Sequence, residues 1–304
     1  MDYLACPIDP SASLDLRIDS IVNESIETGA ISCTECQRHF PIYSGIPDFL
    51  LHDPGDDDSI RLLKKREIDK RDAQAAEYES LFSPYIVSLE PTAVLAYFQV
   101  AADDVVLDVG CGTGRITRLY RPRTKLVIGV DYSMRSLQLL RQLDDSIPVV
   151  RADACALPFR RNLFTKCLSS QVIEHIPSEV ERHRAIQSIY DCLQPSGVIV
   201  MTMYNNSVWM RLRRRFSDDP RARKEGFHSG GQIYYFQFDS SEARAIYEPL
   251  FHVERLAGIL NLAYQNMGAM LGQWGARLDR LIERTPLSLI TGKLLLIKAS
   301  KLPD

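Results

Sequence analysis

The sequence predicts an α/β protein: a parallel sheet flanked by helices, joined to a small cysteine-bearing unit at the N-terminus. Three observations predict it. From Val105 onward, short β-branched runs alternate with stretches of helical spacing, the pattern of βα units. Successive predicted strands end in an acid, at Asp108, Asp131 and Asp153. Cysteines in C-x-x-C spacing stand near the start of the chain, well before the first βα unit.

Length and composition bound the rest. The chain has 304 residues, enough for one large domain or two modest ones. Apolar residues make up 45% and charged residues 25%, the balance of a globular protein with a proper core. A net charge of −3 argues against a chain built wholly for nucleic acid. No apolar stretch approaches the ~20 residues of a membrane helix, and the start of the chain lacks a basic region followed by an apolar run. The sequence therefore reads as cytoplasmic. The 7 cysteines suit metal ligands and small core positions better than a disulfide framework.

Residues 1–51 form the first unit. Cys6-Pro-Ile-Asp9 precedes Cys33-Thr-Glu-Cys36, and the second pair has the spacing that presents two thiolates to one tetrahedral ion. Leu14 to Ile18 alternates like a strand, Thr28-Gly29-Ala30 reads as a turn, and Phe40-Pro-Ile-Tyr-Ser-Gly-Ile-Pro follows. The arrangement resembles the small zinc-ribbon family that acts as an activator subunit of tRNA and protein methyltransferases. That resemblance implies one structural zinc on Cys6, Asp9, Cys33 and Cys36. Asp9 replaces a cysteine of the family pattern. His39 is a second candidate for the fourth position, and a ribbon without metal is the alternative.

Residues 52–90 read as a linker and N-terminal helices. His52 to Ser59 is acidic and exposed in character, and Arg61 to Tyr78 is charged with helical spacing. Tyr78 and Phe82 stand either over a ligand or in the core. Pro91 is expected to open the next helix.

The domain from 91 to 304 begins its sheet at Asp104-Val-Val-Leu-Asp-Val-Gly-Cys-Gly-Thr-Gly-Arg115. A buried strand runs into Gly110, Gly112 and Gly114, where the backbone can turn sharply and approach a ligand. A dinucleotide fingerprint spaces its glycines differently and needs bare backbone for a pyrophosphate. An acid before the first glycine suits a ligand with an ammonium and a sulfonium instead. This D-x-G-x-G-x-G stretch resembles motif I of the class I S-adenosylmethionine-dependent methyltransferases. The resemblance implies a Rossmann-like seven-stranded methyltransferase sheet with its last strand antiparallel. It also implies an S-adenosyl-L-methionine site built from Asp108, Gly110, Cys111, Gly112, Gly114, Asp131, Tyr132, Asp153, Ala154 and Gln171.

Later elements fit that frame. Leu126–Asp131 is the second strand, and Asp131 follows Asp108 at about the ~20-residue offset of a ribose-binding carboxylate. Ser133 reads as a helix cap. Pro148–Asp153 is the third strand, whose acid the family uses for the adenine amino group. Lys166–Val172 is the fourth, leading into Ile173-Glu-His175, and Pro177 starts a helix that stops near Gly197. Val198–Tyr204, Val253–Ile259 and Lys293–Ala299 complete the sheet. Segments 205–238 and 260–291 are longer than the core requires. The first carries Arg211, Arg213, Arg214, Arg215, Arg221, Arg223 and Lys224, either a phosphate grip or a solvated face, then His228 and Tyr234-Tyr235-Phe236. The second is apolar with Trp274 and several glycines, suited to roofing a pocket, packing on the sheet or pairing in a homodimer.

Methyl transfer from a sulfonium needs positioning above all, and a base only for a neutral acceptor. His175 is the candidate catalytic base, with His228 and Tyr204 behind it. The acceptor is expected to be a small or lipid-like molecule. RNA, held through Arg211–Lys224, or a protein factor is the second class. A non-catalytic binding or assembly protein of the same fold is the third.

Overall fold

The structure, a computed structural model, describes residues 2–51, 58–81, 83–216, 223–263 and 270–302. Phe82, Arg221, Gly268 and much of the 52–59 linker lie outside those residues.

The N-terminal unit is a 4-stranded antiparallel sheet in the order β1 (Leu14–Val22), β2 (Ser25–Cys33), β3 (His39–Tyr43) and β4 (Ile46–Pro47). Alternation directs Ile31 and Cys33 of β2, and Phe40 and Ile42 of β3, inward. The expected turn at residues 28–30 is instead mid-strand. The reversal falls at Asn23 and Glu24, both at positive φ, which is the backbone a two-residue hairpin requires. Gly29 serves close strand approach, since a Cβ there would stand 2.4 Å from the Arg17 carbonyl.

The main sheet has 7 strands in the order β12-β13-β9-β8-β5-β6-β7. In chain order these are β5 (Val105–Val109), β6 (Leu126–Asp131), β7 (Val149–Arg151), β8 (Phe164–Ser170), β9 (Leu193–Tyr204), β12 (Phe251–Ile259) and β13 (Leu294–Lys301). β13 pairs antiparallel with both β9 and β12, while the pairs among β5 to β9 are parallel. Helices α1 (Asp58–Gln74), α2 (Pro84–Tyr97), α3 (Thr117–Tyr120), α4 (Met134–Leu143) and α5 (Glu179–Cys192) surround it. Segment 205–238 folds as α6 (Val208–Phe216) and the hairpin β10 (Glu225–His228) and β11 (Ile233–Phe236). After α7 (Ser240–Ala245) and β12, segment 260–291 contributes α8 (Gly272–Glu283) and a short helix Ser288–Thr291.

Pro91 does not open α2. Ser83 caps that helix by accepting from Ile86 N–H, Pro84 takes its first position, and Pro91 lies inside it. An N-terminal proline needs no N–H, so Pro84 is the natural start. The helix after the glycine turn is a single turn, Thr117–Tyr120.

The N-terminal sheet is fused to the main sheet's β7 edge. Asp48 bridges Arg151 in parallel, Phe49 N–H donates to the Arg151 carbonyl at 2.8 Å, and Ala5 N–H donates to Pro158 at 2.9 Å. Phe40 and Phe49 stack at 4.5 Å and share one apolar cluster with Ile128, Val130 and Val150 of the sheet. An edge strand is thereby covered.

Candidate cofactor and acceptor site

Strand order reverses between β5 and β8, so their carboxyl ends open a crevice, the usual ligand position in such sheets. An open cavity lies there. Asp108, Gly110, Cys111, Gly112, Asp131, Tyr132, Asp153, Ala154, Gln171 and His175 all line it. Gly114 does not; a Cβ there would strike Leu140 at 2.3 Å, so its role is packing.

The turn after β5 is shaped for an occupant. Gly112 sits at φ +55°, and a Cβ on it would meet nothing within 4 Å, so its backbone faces open space. Thr113 Oγ1 is buried against the same cavity with no partner among the described residues. Buried hydroxyls are normally satisfied, so this one waits for a ligand or water. Asp131 is held by Gly112 N–H and Ser133 N–H, each at 2.8 Å to a different oxygen. Each oxygen keeps a free lone pair, which is what two ribose hydroxyls need. The residues therefore fit the nucleoside of S-adenosylmethionine.

Two other acids are more committed than their sequence positions imply. Asp108 lines the cavity with one of its oxygens already engaged. Its Oδ2 accepts from Thr117 and Tyr120, each at 2.7 Å, and burial pushes its carboxyl up to about 6. Asp153 accepts Cys155 N–H at 2.8 Å on one oxygen and Lys64 at 2.7 Å on the other. Burial would raise the Asp153 carboxyl, but Lys64 overcomes it and holds the group below the usual carboxylate range.

Lys64, Glu67 and Arg71 come from α1, which crosses the mouth of the cavity. None of its residues is buried, so polar contacts fix it. Lys64 also pairs with Glu181 at 2.7 Å, and Asp72 accepts from Ser133 Oγ at 2.5 Å and Arg135 N–H at 3.1 Å. Burial, with Asp131 and Asp153 nearby, pushes Glu67 up to about 7 despite its contact with Arg71. Sequence reading placed a charged helix here, with Tyr78 over a ligand or in the core, and gave no role to Lys64, Glu67 or Arg71. Their only signal is the spacing of residues 64, 67 and 71 on one side, which an exposed ion-paired helix shows equally. Glu90 was missed too. Fully buried in α2, it accepts from Arg115 at 2.7 Å and Gln171 Nε2 at 2.5 Å. That bond holds Gln171, itself at φ 58°, against the cavity.

His175 stands at the acceptor side. Its Nδ1 lies 2.8 Å from the Tyr234 carbonyl, and a carbonyl only accepts, so Nδ1 carries the proton. Burial and the Arg71 charge hold its pKa well below the ordinary value. The neutral ring therefore leaves a lone pair on Nε2. Tyr204 and His228 pack edge-on against this ring, each at 5.6 Å between centroids. Tyr234 and Tyr235 are both buried, Tyr234 with its carbonyl on the histidine. Next to it, Glu174 is fully buried with both oxygens unpartnered among the described residues, and burial pushes it up to about 8.

At the other end, Cys6, Cys33 and Cys36 bring their sulfurs within 4.8 Å of one another. Backbone N–H groups of Asp9 and Cys36 point at Cys6 and Cys33, both at 3.4 Å. Asp9 is not the fourth ligand in this arrangement: its carboxylate accepts from Ser11 N–H at 3.1 Å and Ser11 Oγ at 2.6 Å. His39 is likewise turned away, with Nδ1 on Ser32 at 2.7 Å. The donor set fits three of the four positions of a tetrahedral thiolate site.

Residues 107–201 match the family profile described as a methyltransferase domain. An uncharacterized methyltransferase of Oceanobacillus iheyensis is 25% identical over 152 residues, which is 50% of this chain and 67% of that protein. The tRNA (carboxymethyluridine(34)-5-O)-methyltransferase of Arabidopsis thaliana is 31% identical over 100 residues, 33% of this chain and 24% of its own length. The malonyl-acyl-carrier-protein O-methyltransferase of Salmonella typhimurium is 28% identical over 123 residues, 40% of this chain and 48% of its own. The aligned stretches thus span between 24% and 67% of these relatives. Among solved structures, a chain of the complex between the Haloferax volcanii Trm112 methyltransferase activator and a methyltransferase superposes with a TM-score of 0.57. It is 18% identical and covers 78% of this chain and 98% of itself. Profile and fold together define an α/β domain of the methyltransferase kind. By that profile residues 107–201 carry a methyltransferase domain, an enzyme domain, set in the fold that the solved structure shares. Among the described residues no helix is long and apolar enough to cross a membrane.

Proposed function

We propose that this chain transfers the methyl group of S-adenosylmethionine to a small or lipid-like acceptor entering between α1 and His175. The observation that carries the reading is the cavity at the β5 and β8 ends, with its oriented Asp131, open Gly112 and unpartnered Thr113. The cofactor, when bound, supplies an activated methyl on a good leaving group. The chain's part is placement: Asp131 holds the ribose, Tyr132 and Ala154 flank the base, and α1 narrows the mouth. Neutral His175 takes a proton from a hydroxyl or amine acceptor at Nε2. A structural zinc on Cys6, Cys33 and Cys36 would brace the ribbon against the β7 edge. The 7 free thiols suit a reducing cytoplasm.

A second reading, methylation of RNA or of a protein factor, has one observation in its favour: a small four-stranded sheet with a three-cysteine cluster, which resembles an activator ribbon, is built onto the sheet edge. The relatives that act on tRNA point the same way. The basic cluster supports it less. Lys224 is tied to Asp239 at 3.1 Å and Glu242 at 2.6 Å, and Arg214 is bonded to Asn206.

The test is transfer of labelled methyl from S-adenosylmethionine into a small-molecule and lipid extract and into total RNA. Label in the extract, lost in His175→Ala, is expected. Label entering RNA alone would overturn the choice of acceptor, and label in neither pool would overturn the catalytic reading.

A further inference from the structure

Helices α6 and α8 are amphipathic in an unusual sense. Their apolar stripes face away from the protein. On α6, Trp209, Leu212 and Phe216 recur at helical spacing and are all exposed, Phe216 to 79%. On α8, Trp274, Leu278 and Leu281 form the matching stripe, with Trp274 73% exposed. A globular domain has no internal reason to expose two such apolar stripes.

Charge sorts in the same direction. α6 contains no acid, and Arg211, Arg213 and Arg215 are exposed among its apolar residues. The two acids of α8 turn inward. Asp279 accepts from Asn261 N–H at 2.8 Å, Leu262 N–H at 3.1 Å and Tyr85 OH at 3.1 Å, and Glu283 is buried. Arg277 and Arg280 stay outside. Both helices leave the sheet at its carboxyl rim, α6 after β9 and α8 after β12. The short helix Ser288–Thr291, with Leu287 and Ile290 exposed beside it, packs next to α6.

We propose that this face docks on an anionic lipid bilayer. Tryptophan, phenylalanine and leucine would enter the headgroup boundary while the arginines meet lipid phosphates, the arrangement that holds an amphipathic helix in the interfacial plane. Two other occupants fit less well. RNA would use the arginines and could stack on aromatic rings, but Leu212, Leu278 and Leu281 offer no π-face. A second copy in a two-fold contact would set the same arginine-rich patch against itself. An anionic surface satisfies the apolar and the cationic groups together. The docking goes beyond the catalytic reading and stands or falls separately from it.

The chain's 2 tryptophans are Trp209 and Trp274, so intrinsic emission reports this face alone. The experiment titrates the full chain with phosphatidylglycerol/phosphatidylcholine vesicles, with pure phosphatidylcholine vesicles and with polyuridylate, reading emission and vesicle flotation. Sedimentation velocity gives its oligomeric state. Expected are a blue shift and flotation with the anionic vesicles only. Arg211→Gln with Arg215→Gln should weaken the interaction about fivefold per arginine, from ~1 kcal/mol per charge at an anionic surface. Phe216→Ser with Leu281→Ser, both at exposed positions, should abolish the blue shift. The proposal is overturned if anionic vesicles leave emission unchanged, if polyuridylate binds and vesicles do not, or if a dimer covers both tryptophans.

Discussion

Lys64→Met should release α1 from the mouth of the cavity. The helix buries no residue, so its docking rests on polar contacts, and Lys64 makes the pair that reaches deepest. Its ammonium and the Asp153 carboxylate are each 16% exposed, and Glu181 is 7% exposed. Breaking a buried ion pair by removing one partner costs about 3–5 kcal/mol. Some water reaches these groups, and Arg184 still neutralises Glu181 at 2.7 Å, so about 2–3 kcal/mol is the better figure. That corresponds to an increase of roughly 30- to 150-fold in the undocked population. Hydrogen exchange at the amides of residues 58–74 reads it directly, with the β8 amides as an internal standard for global stability. The pH sign also follows. The Asp153 carboxyl lies below its ordinary value, so the contact is intact above that value and is lost only as pH falls through the depressed one. The Lys64–Asp153 share of that protection, read as the difference between wild type and Lys64→Met, should therefore be flat through neutral pH and collapse in acid. Exchange in the variant within about twofold of wild type, well short of the expected change, would refute the assignment of α1 docking to this pair.

Two further outcomes are expected. Glu174 is raised to about 8, so wild-type stability should decline between about pH 5 and pH 8, as the unfolded chain releases a proton that the folded chain retains. Glu174→Gln should remove its share of that decline, leaving the shallower one due to Asp108 and Glu67, and gain a few kcal/mol on wild type at the alkaline end, checked by denaturant unfolding across pH; parallel profiles would count against a protonated Glu174. Protein purified without added metal should hold close to one equivalent of zinc by elemental analysis, and Cys36→Ser should lose most of it; an ordered ribbon with negligible zinc would remove the metal from the description.

The parts legible in the sequence were those with a local cause. Val105–Val109, Leu126–Asp131 and the glycines after the first strand are set by β-branching and by φ values that only glycine takes easily, and they stand where periodicity placed them. The acids at strand ends could be located but not their partners. Asp108 turned to Thr117 and Tyr120, and Asp153 to Lys64, which is 89 residues away along the chain. The same holds for Asp9, whose carboxylate found a serine two residues on before any metal position. Pro91 misled because proline favours helix starts, and Pro84 already supplied one. Arg71 and Glu90 were illegible for a plainer reason: a charged residue that faces a cavity has the same spacing as one that faces water.

The most direct test is calorimetric titration of S-adenosylmethionine into the wild type and Asp131→Ala, with NAD as the control ligand. The geometry predicts one site in the wild type and no NAD binding. Loss of a charged hydrogen-bonding partner at about 1.5–3 kcal/mol should weaken the variant roughly 10- to 150-fold. Wild-type affinity in the variant, or equal affinity for NAD, would contradict a cofactor held by Asp131 at the carboxyl end of the second strand of the main sheet.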